Sequence, residues 1–242
     1  MADWRKFENT FCSWPAKPKG LIELIGGSYI SAAPQVTYRN LLNGLRKSQI
    51  AIHAWSYFPG FDHQLQAVQA WRELRSVKSK LEKRIGYKLQ NIRVGHSLGC
   101  KLHLLSPDGG RNSDRFIAIS FNNYPASRSI PILKNVSSRF KMQSEFSPSP
   151  KKTLDLIKEF YIQEKNILIS FRNDKIDETN CLYNCLRSRE STEDQSKIIS
   201  LSGDHLTPAS VGISKEIFGV KNISVERNNN INKLLKIVLQ EL

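Results

Sequence analysis

The sequence predicts an α/β fold in which helices cover both faces of a central, mainly parallel sheet. Short apolar runs bounded by turn residues alternate with segments whose apolar residues recur every three or four positions. This alternation is typical of strand–helix–strand units, in which the strands are parallel. The chain has 242 residues, of which 40% are hydrophobic, and this is enough for one sizeable core. We therefore expect a single domain over residues 1–242.

Each predicted strand is a short apolar run that ends at polar or turn-forming residues. The first is followed by two glycines and a serine, and the third leads into the sequence Gly-His-Ser-Leu-Gly. Runs of this length with such boundaries are typical of buried strands. In chain order, the predicted strands are residues 21–25, 49–55, 89–94, 116–121, 167–171 and 197–201.

The predicted helices are recognised by apolar residues at helical spacing. Residues 122–150 lack such periodicity and are rich in serine, proline and asparagine, so we expect an irregular excursion or a small lid there. In chain order, the predicted helices are residues 34–45, 65–85, 100–105, 151–164 and 231–242. The longest has one apolar stripe, formed by Leu65, Val68, Trp71, Leu74, Val77, Leu81 and Ile85.

The formal net charge of +14 is compatible with a nucleic-acid partner, an anionic membrane or a solvated basic surface. The basic residues are densest between Arg72 and Arg93, and we assign them mainly to the solvated face of the long helix. A docking surface for anionic lipid or another polyanion is the alternative. The sequence has no zinc-finger spacing, aromatic ribonucleoprotein signature or glycine-rich phosphate loop, which argues against a nucleic-acid partner.

The four cysteines follow neither a disulfide framework nor a two-pair metal spacing. We therefore expect reduced thiols and no metal site. The first 20 residues lack the apolar stretch of a signal peptide, and no later run is long enough to span a bilayer. These features predict a cytoplasmic protein.

The sequence Gly95-His96-Ser97-Leu98-Gly99 lies between a predicted strand and a predicted helix. A serine at the apex of such a turn has a strained backbone, and glycines two positions before and after it let the strand and the helix approach each other. Ser97 is therefore the candidate nucleophile.

A serine nucleophile needs a general base and a carboxylate that orients this base. Of the five histidines, only His205 follows a late strand, in a loop with a nearby glycine and proline, and it is the candidate base. Asp174 comes just after the strand at 167–171 and is the candidate acid. Asp177 is the reserve acid, although it could instead cap a following helix. Asp204 is a third alternative, which its position next to His205 in sequence disfavours.

With these residues, the order along the chain is serine, aspartate, histidine. In this order and context the chain resembles the α/β-hydrolase superfamily from about residue 21 onward. More narrowly, the sequence from Gly95 to His103 is similar to an uncharacterised branch found in cyanobacteria and chloroplasts, which implies a cytosolic or stromal setting. The superfamily resemblance implies an oxyanion hole made by the backbone N–H groups of Leu98 and Ser28, with Tyr29 close by.

These observations predict a serine hydrolase that cleaves a carboxylic ester through an acyl-enzyme and needs no metal or organic cofactor. The basic surface suggests a lipid-like ester presented at an anionic membrane. A non-catalytic binding or assembly module with the same fold is the main alternative, and a basic polyanion-binding protein is the third. Packing in the core is the commoner role of aromatic residues near strand ends, and an acyl pocket is the alternative for Trp55, Tyr57, Phe58, Phe121 and Tyr124.

Overall fold

The computed structural model describes residues 4–28, 30–129, 145–190, 193–209 and 225–242. Tyr29, which was predicted to lie close to the oxyanion hole, is outside these residues, and so is much of the predicted excursion at 122–150. In the described part, eight strands form one sheet in the order β1-β2-β4-β3-β5-β6-β7-β8. The strands are β1 (Arg5–Phe7), β2 (Thr10–Ser13), β3 (Gly20–Ile25), β4 (Ile50–Trp55), β5 (Asn91–His96), β6 (Arg115–Ile119), β7 (Asn166–Phe171) and β8 (Lys197–Leu201).

The six strands from β3 to β8 are mutually parallel, whereas β1 and β2 are antiparallel to their neighbours. Every residue of β3, β4 and β5 is buried, as expected for strands covered on both faces. The predicted mainly parallel sheet is therefore confirmed. The hairpin of β1 and β2 was not predicted, because β1 has only three residues, two of them basic and exposed, and shows no apolar run.

Helices lie on both faces of the sheet, as predicted. On one face, α2 and α8 pack together over the aliphatic residues of the central strands, and on the other face α3, α4, α6 and α7 contribute to two further apolar clusters. The helices are α1 (Pro34–Thr37), α2 (Arg39–Lys47), α3 (His63–Ile85), α4 (Leu98–Leu104), α5 (Ala126–Ser129), α6 (Pro150–Phe160), α7 (Thr179–Arg187) and α8 (Val225–Gln240).

The start of the apolar stripe predicted for α3 was wrong. Leu65 is 62% exposed, and the helix instead buries Ala67 and Ala70 before the predicted Leu74. Small alanines let the helix backbone come close to its neighbours, a role that a stripe of large residues does not reveal. Arg93 also differs from the predicted solvated surface, because it lies in the central strand β5 and forms a buried ion pair with Asp108.

The candidate site residues follow the carboxyl ends of parallel strands. The turns after β3, β5, β7 and β8 therefore meet at one edge of the sheet, where sites in open α/β sheets commonly lie. Within the described ranges, no helix is both long and apolar enough to cross a membrane.

Candidate active site

Ser97 occupies a strained turn between β5 and α4. Its backbone has φ 54° and ψ −122°, a conformation that L-residues rarely adopt. A Cβ atom at Gly95 would lie 2.5 Å from Cα of Cys100, and one at Gly99 would collide with the carbonyl oxygen of Ile25. Both glycines are thus required sterically, and the turn presents the Ser97 side chain at the edge of the sheet.

The structure brings Ser97, His205 and Asp174 together in one hydrogen-bonded chain. His205 Nε2 lies 2.9 Å from Ser97 Oγ, and His205 Nδ1 lies 2.8 Å from Asp174 Oδ2. Because a carboxylate only accepts, Nδ1 carries the proton and Nε2 is left to accept from the serine hydroxyl. The Asp174 side chain is fully buried, while that of His205 is 17% exposed. This arrangement can remove a proton from Ser97.

The surroundings of Asp174 keep it ionised. Burial acts to raise its pKa, but hydrogen bonding and charge from His205 outweigh this effect and lower the pKa below its ordinary value. The backbone N–H of Ile176, which donates to Asp174 Oδ1 at 3.0 Å, and the hydroxyl of Ser120 act in the same direction. A carboxylate that stays charged can stabilise an imidazolium on His205.

The two alternative acids have other partners. Asp177 accepts hydrogen bonds from the backbone N–H and the hydroxyl of Thr179, at the start of α7, and burial raises its pKa. Asp204 accepts from the backbone N–H of Leu206 and forms an ion pair with Arg227 of α8. Asp204 therefore stabilises the loop that carries His205 through these contacts. Asp177 stabilises the turn before α7.

The loop after β3 lies beside the nucleophile. A Cβ atom at Gly27 would be 3.2 Å from Cβ of Ser97. The Gly27 N–H itself is donated to the Tyr38 hydroxyl, so it is already engaged. Ser28, the predicted oxyanion donor, follows it and is half-buried, and Leu98, the other predicted donor, is the first residue of α4. The assignment of these two N–H groups stays a prediction.

The sequence did not indicate a specific role for His96, but its ring makes two specific contacts. Its Nδ1 lies 2.8 Å from Tyr38 Oη, and its Nε2 lies 2.8 Å from the backbone oxygen of His205. A polar ring at the end of a buried strand, directly before the nucleophile, was the available signal. The partners could not be found from sequence, because Tyr38 and His205 are remote along the chain.

The aromatic residues proposed for an acyl pocket have diverse surroundings. Trp55 and Phe121 are buried in the core, and Trp55 Nε1 donates to Glu73. Tyr57 is also buried, with its hydroxyl bonded to a backbone oxygen. Phe58 is 79% exposed. Trp55, Tyr57 and Phe121 thus contribute to the core, where large apolar side chains usually lie, and their role in an acyl pocket stays a prediction.

Three solved structures resemble this one. Carboxyl esterase 2 from the mycorrhizal fungus Tuber melanosporum has a TM-score of 0.62 and 15% identity, over 96% of this chain and 82% of that chain. The monoacylglycerol lipase of Paleococcus ferrophilus has a TM-score of 0.58 and 13% identity, over 96% and 99%. A thioesterase domain from the curacin biosynthetic pathway has a TM-score of 0.58 and 10% identity, over 98% of both chains. At these identities the likeness shows the fold, which is the α/β-hydrolase fold.

Among curated proteins, no sequence matches this chain. The narrower resemblance to a cyanobacterial and chloroplast branch stays a prediction. A family model described as "Protein of unknown function (DUF1350)" matches residues 3–222. Because this match spans most of the 242 residues, the chain belongs to that family.

Proposed function

We propose that this protein is a serine hydrolase that cleaves a carboxylic ester through an acyl-enzyme. The observation that carries the proposal is the hydrogen-bonded chain from Asp174 through His205 to Ser97, with contacts of 2.8 and 2.9 Å. Nucleophile and base within hydrogen-bond reach, with the base oriented by a third group, are the arrangement that nucleophilic catalysis requires. The α/β-hydrolase fold, which the esterase, lipase and thioesterase above also have, supports it.

In the proposed reaction, Ser97 Oγ attacks the ester carbonyl while His205 Nε2 takes its proton. Asp174 stabilises the resulting imidazolium, and the N–H groups of Leu98 and Ser28 donate to the oxyanion. His205 then returns the proton to the leaving alcohol, which departs and leaves an ester on Ser97. Water, deprotonated by His205, then attacks that ester. The bond to Ser97 Oγ breaks, the carboxylic acid leaves, and the proton on His205 returns to Oγ. The proposed mechanism includes no metal or organic cofactor.

The test is labelling by a fluorophosphonate, which forms a covalent bond with an activated serine. Wild type is compared with Ser97→Ala and with Ser79→Ala, a matched control that removes an exposed serine of α3. We expect labelling of the wild type and of Ser79→Ala, and none of Ser97→Ala. A folded wild type that is not labelled would overturn the proposal and favour a non-catalytic binding module.

We further propose that the ester is lipid-like and is met at an anionic membrane surface. The loop between β4 and α3 and the start of α3 expose Phe58 at 79%, Leu65 at 62% and Phe61 at 47%. This loop lies at the same edge of the sheet as Ser97. Aromatic and aliphatic side chains of this kind insert into the boundary between headgroups and acyl chains.

Basic residues accompany this exposed apolar surface. Ser147 donates its backbone N–H to the carbonyl oxygen of Phe61, and the chain continues from there to the exposed Lys151 and Lys152 at the start of α6. Lysines beside inserted apolar side chains favour anionic lipids. The proposed setting is the cytoplasm or a plastid stroma, where the protein would contact such a membrane peripherally. We also propose that residues 1–242 form one domain.

Sedimentation with phosphatidylglycerol vesicles tests the membrane proposal. We expect binding by the wild type, weaker binding by a Phe58→Ser and Leu65→Ser double variant, and wild-type binding by Phe160→Ser. Phe160 is a matched control because it is 56% exposed at the end of α6. Equal binding of all three proteins, or equal hydrolysis of short- and long-chain esters, would contradict the proposal.

A further inference from the structure

The imidazole of His96 connects the loop after β3 with the loop that carries His205. His96 is the last residue of β5 and is only 1% exposed. Its Nδ1 lies 2.8 Å from Tyr38 Oη, which accepts a hydrogen bond from the Gly27 N–H at 2.9 Å. Its Nε2 lies 2.8 Å from the backbone carbonyl oxygen of His205. Through the Tyr38 hydroxyl on one side and directly on the other, one buried ring therefore links the two loops that flank Ser97.

These contacts specify how the His96 ring is protonated. The His205 carbonyl oxygen can only accept, so Nε2 of His96 carries the proton. Nδ1 is then an acceptor and receives the hydroxyl proton of Tyr38, whose oxygen in turn accepts the Gly27 N–H. Burial lowers the pKa of His96 to about 3, so the ring stays neutral near pH 7. The ring is thus a fixed donor towards His205.

The position of the His205 backbone decides where its ring points. Asp204, the preceding residue, is fastened through Arg227 and through the Leu206 N–H. The contact from His96 differs, because it is made at the His205 carbonyl itself. The two rings also lie against each other, with centroids 5.1 Å apart. A shift of this backbone would lengthen the 2.9 Å contact between His205 Nε2 and Ser97 Oγ.

We propose that His96 is a positioning residue whose Nε2–H holds the His205 carbonyl and so aims the His205 imidazole at Ser97. This inference rests on the proposed function. It also accounts for a buried polar ring at the second position of Gly-His-Ser-Leu-Gly, where an apolar side chain would otherwise pack without needing partners.

Two substitutions separate this role from simple packing. In His96→Gln, the side-chain amide reaches the place of Nε2 and can still donate to the His205 carbonyl. In His96→Asn, the shorter amide reaches only the place of Nδ1, so the donor to the His205 carbonyl is lost. We expect the rate constant for fluorophosphonate labelling to fall about 30-fold in His96→Asn and to stay within about threefold of wild type in His96→Gln. Thermal unfolding verifies that both variants are folded.

A second measurement is made on the wild type and needs neither activity nor a variant. Nitrogen-15 spectra of the histidine rings are expected to show His96 protonated at Nε2 and unchanged between pH 5 and 9. Protonation at Nδ1, or titration in that range, would overturn the inference.

The outcomes separate the two proposals. Equal labelling rates for wild type and folded His96→Asn would overturn the inference and leave the proposed function standing. A loss in His96→Gln as large as in His96→Asn would also overturn it, because the retained donor would then have no effect. A folded wild type that does not react would remove the proposed function, and the inference with it.

Discussion

Four histidines are buried so deeply that each is expected to stay neutral in the folded protein in mild acid. His53, His63, His96 and His103 are between 0% and 3% exposed. Burial is the largest cause that lowers the pKa of each from 6.5 to about 3. The unfolded chain, by contrast, binds a proton at each of them as the pH falls below 6.5.

This difference gives the sign and size of a stability change. Between pH 6.5 and pH 3 the unfolded state binds more protons, so the free energy of unfolding decreases as the pH falls through this window. Lowering the pH from about 7 to about 5.5 costs roughly 1.3 kcal/mol for each histidine. The four together cost about 5 kcal/mol, which is comparable with the whole stability of many domains.

Urea unfolding at the two pH values measures this change, and the four tryptophans supply the fluorescence signal. His53→Leu is the informative variant, because it removes one of the four titrating rings while leaving the proposed active site untouched. The pH-dependent loss should fall to about 4 kcal/mol in this variant, whatever its absolute stability. The reasoning is refuted if the wild type loses less than about 1 kcal/mol, or if His53→Leu shows the same loss as the wild type.

Three further predictions concern stability. Gly99→Ala should lower the free energy of unfolding by about 3 kcal/mol or more, because its Cβ would collide with the rigid carbonyl of Ile25. The urea midpoint should therefore fall, and an unchanged midpoint would contradict this. Asp108→Asn should lower the free energy of unfolding by about 3 to 5 kcal/mol. The buried Arg93 guanidinium, which lies 2.7 and 2.9 Å from the two carboxylate oxygens of Asp108, would then face a neutral amide. A decrease below about 1 kcal/mol in urea unfolding would disprove this. Ser97→Gly should be about 1 kcal/mol more stable than Ser97→Ala and should therefore melt at a higher temperature, since only glycine adopts φ 54° without strain. Equal melting temperatures would count against stored strain.

The fold class could be predicted because its signals are local. Apolar runs and helical spacing are properties of neighbouring residues, and they located β3 to β8 and the helices of both faces. Local signals fail where an element is short or its partners are distant. The hairpin of β1 and β2 shows the first case, and the exposed Leu65 at the start of α3 shows the second.

The sequence by itself determined the strand, the tight turn with Gly95 and Gly99, and the order in which the candidate nucleophile, acid and base follow one another. Only the tertiary structure decided which carboxylate lies 2.8 Å from His205, and that His96 bridges Tyr38 and the His205 backbone. These contacts join residues on different strands and loops. They depend on the order and register of the parallel strands, which bring remote parts of the chain to one edge of the sheet and which no local pattern encodes.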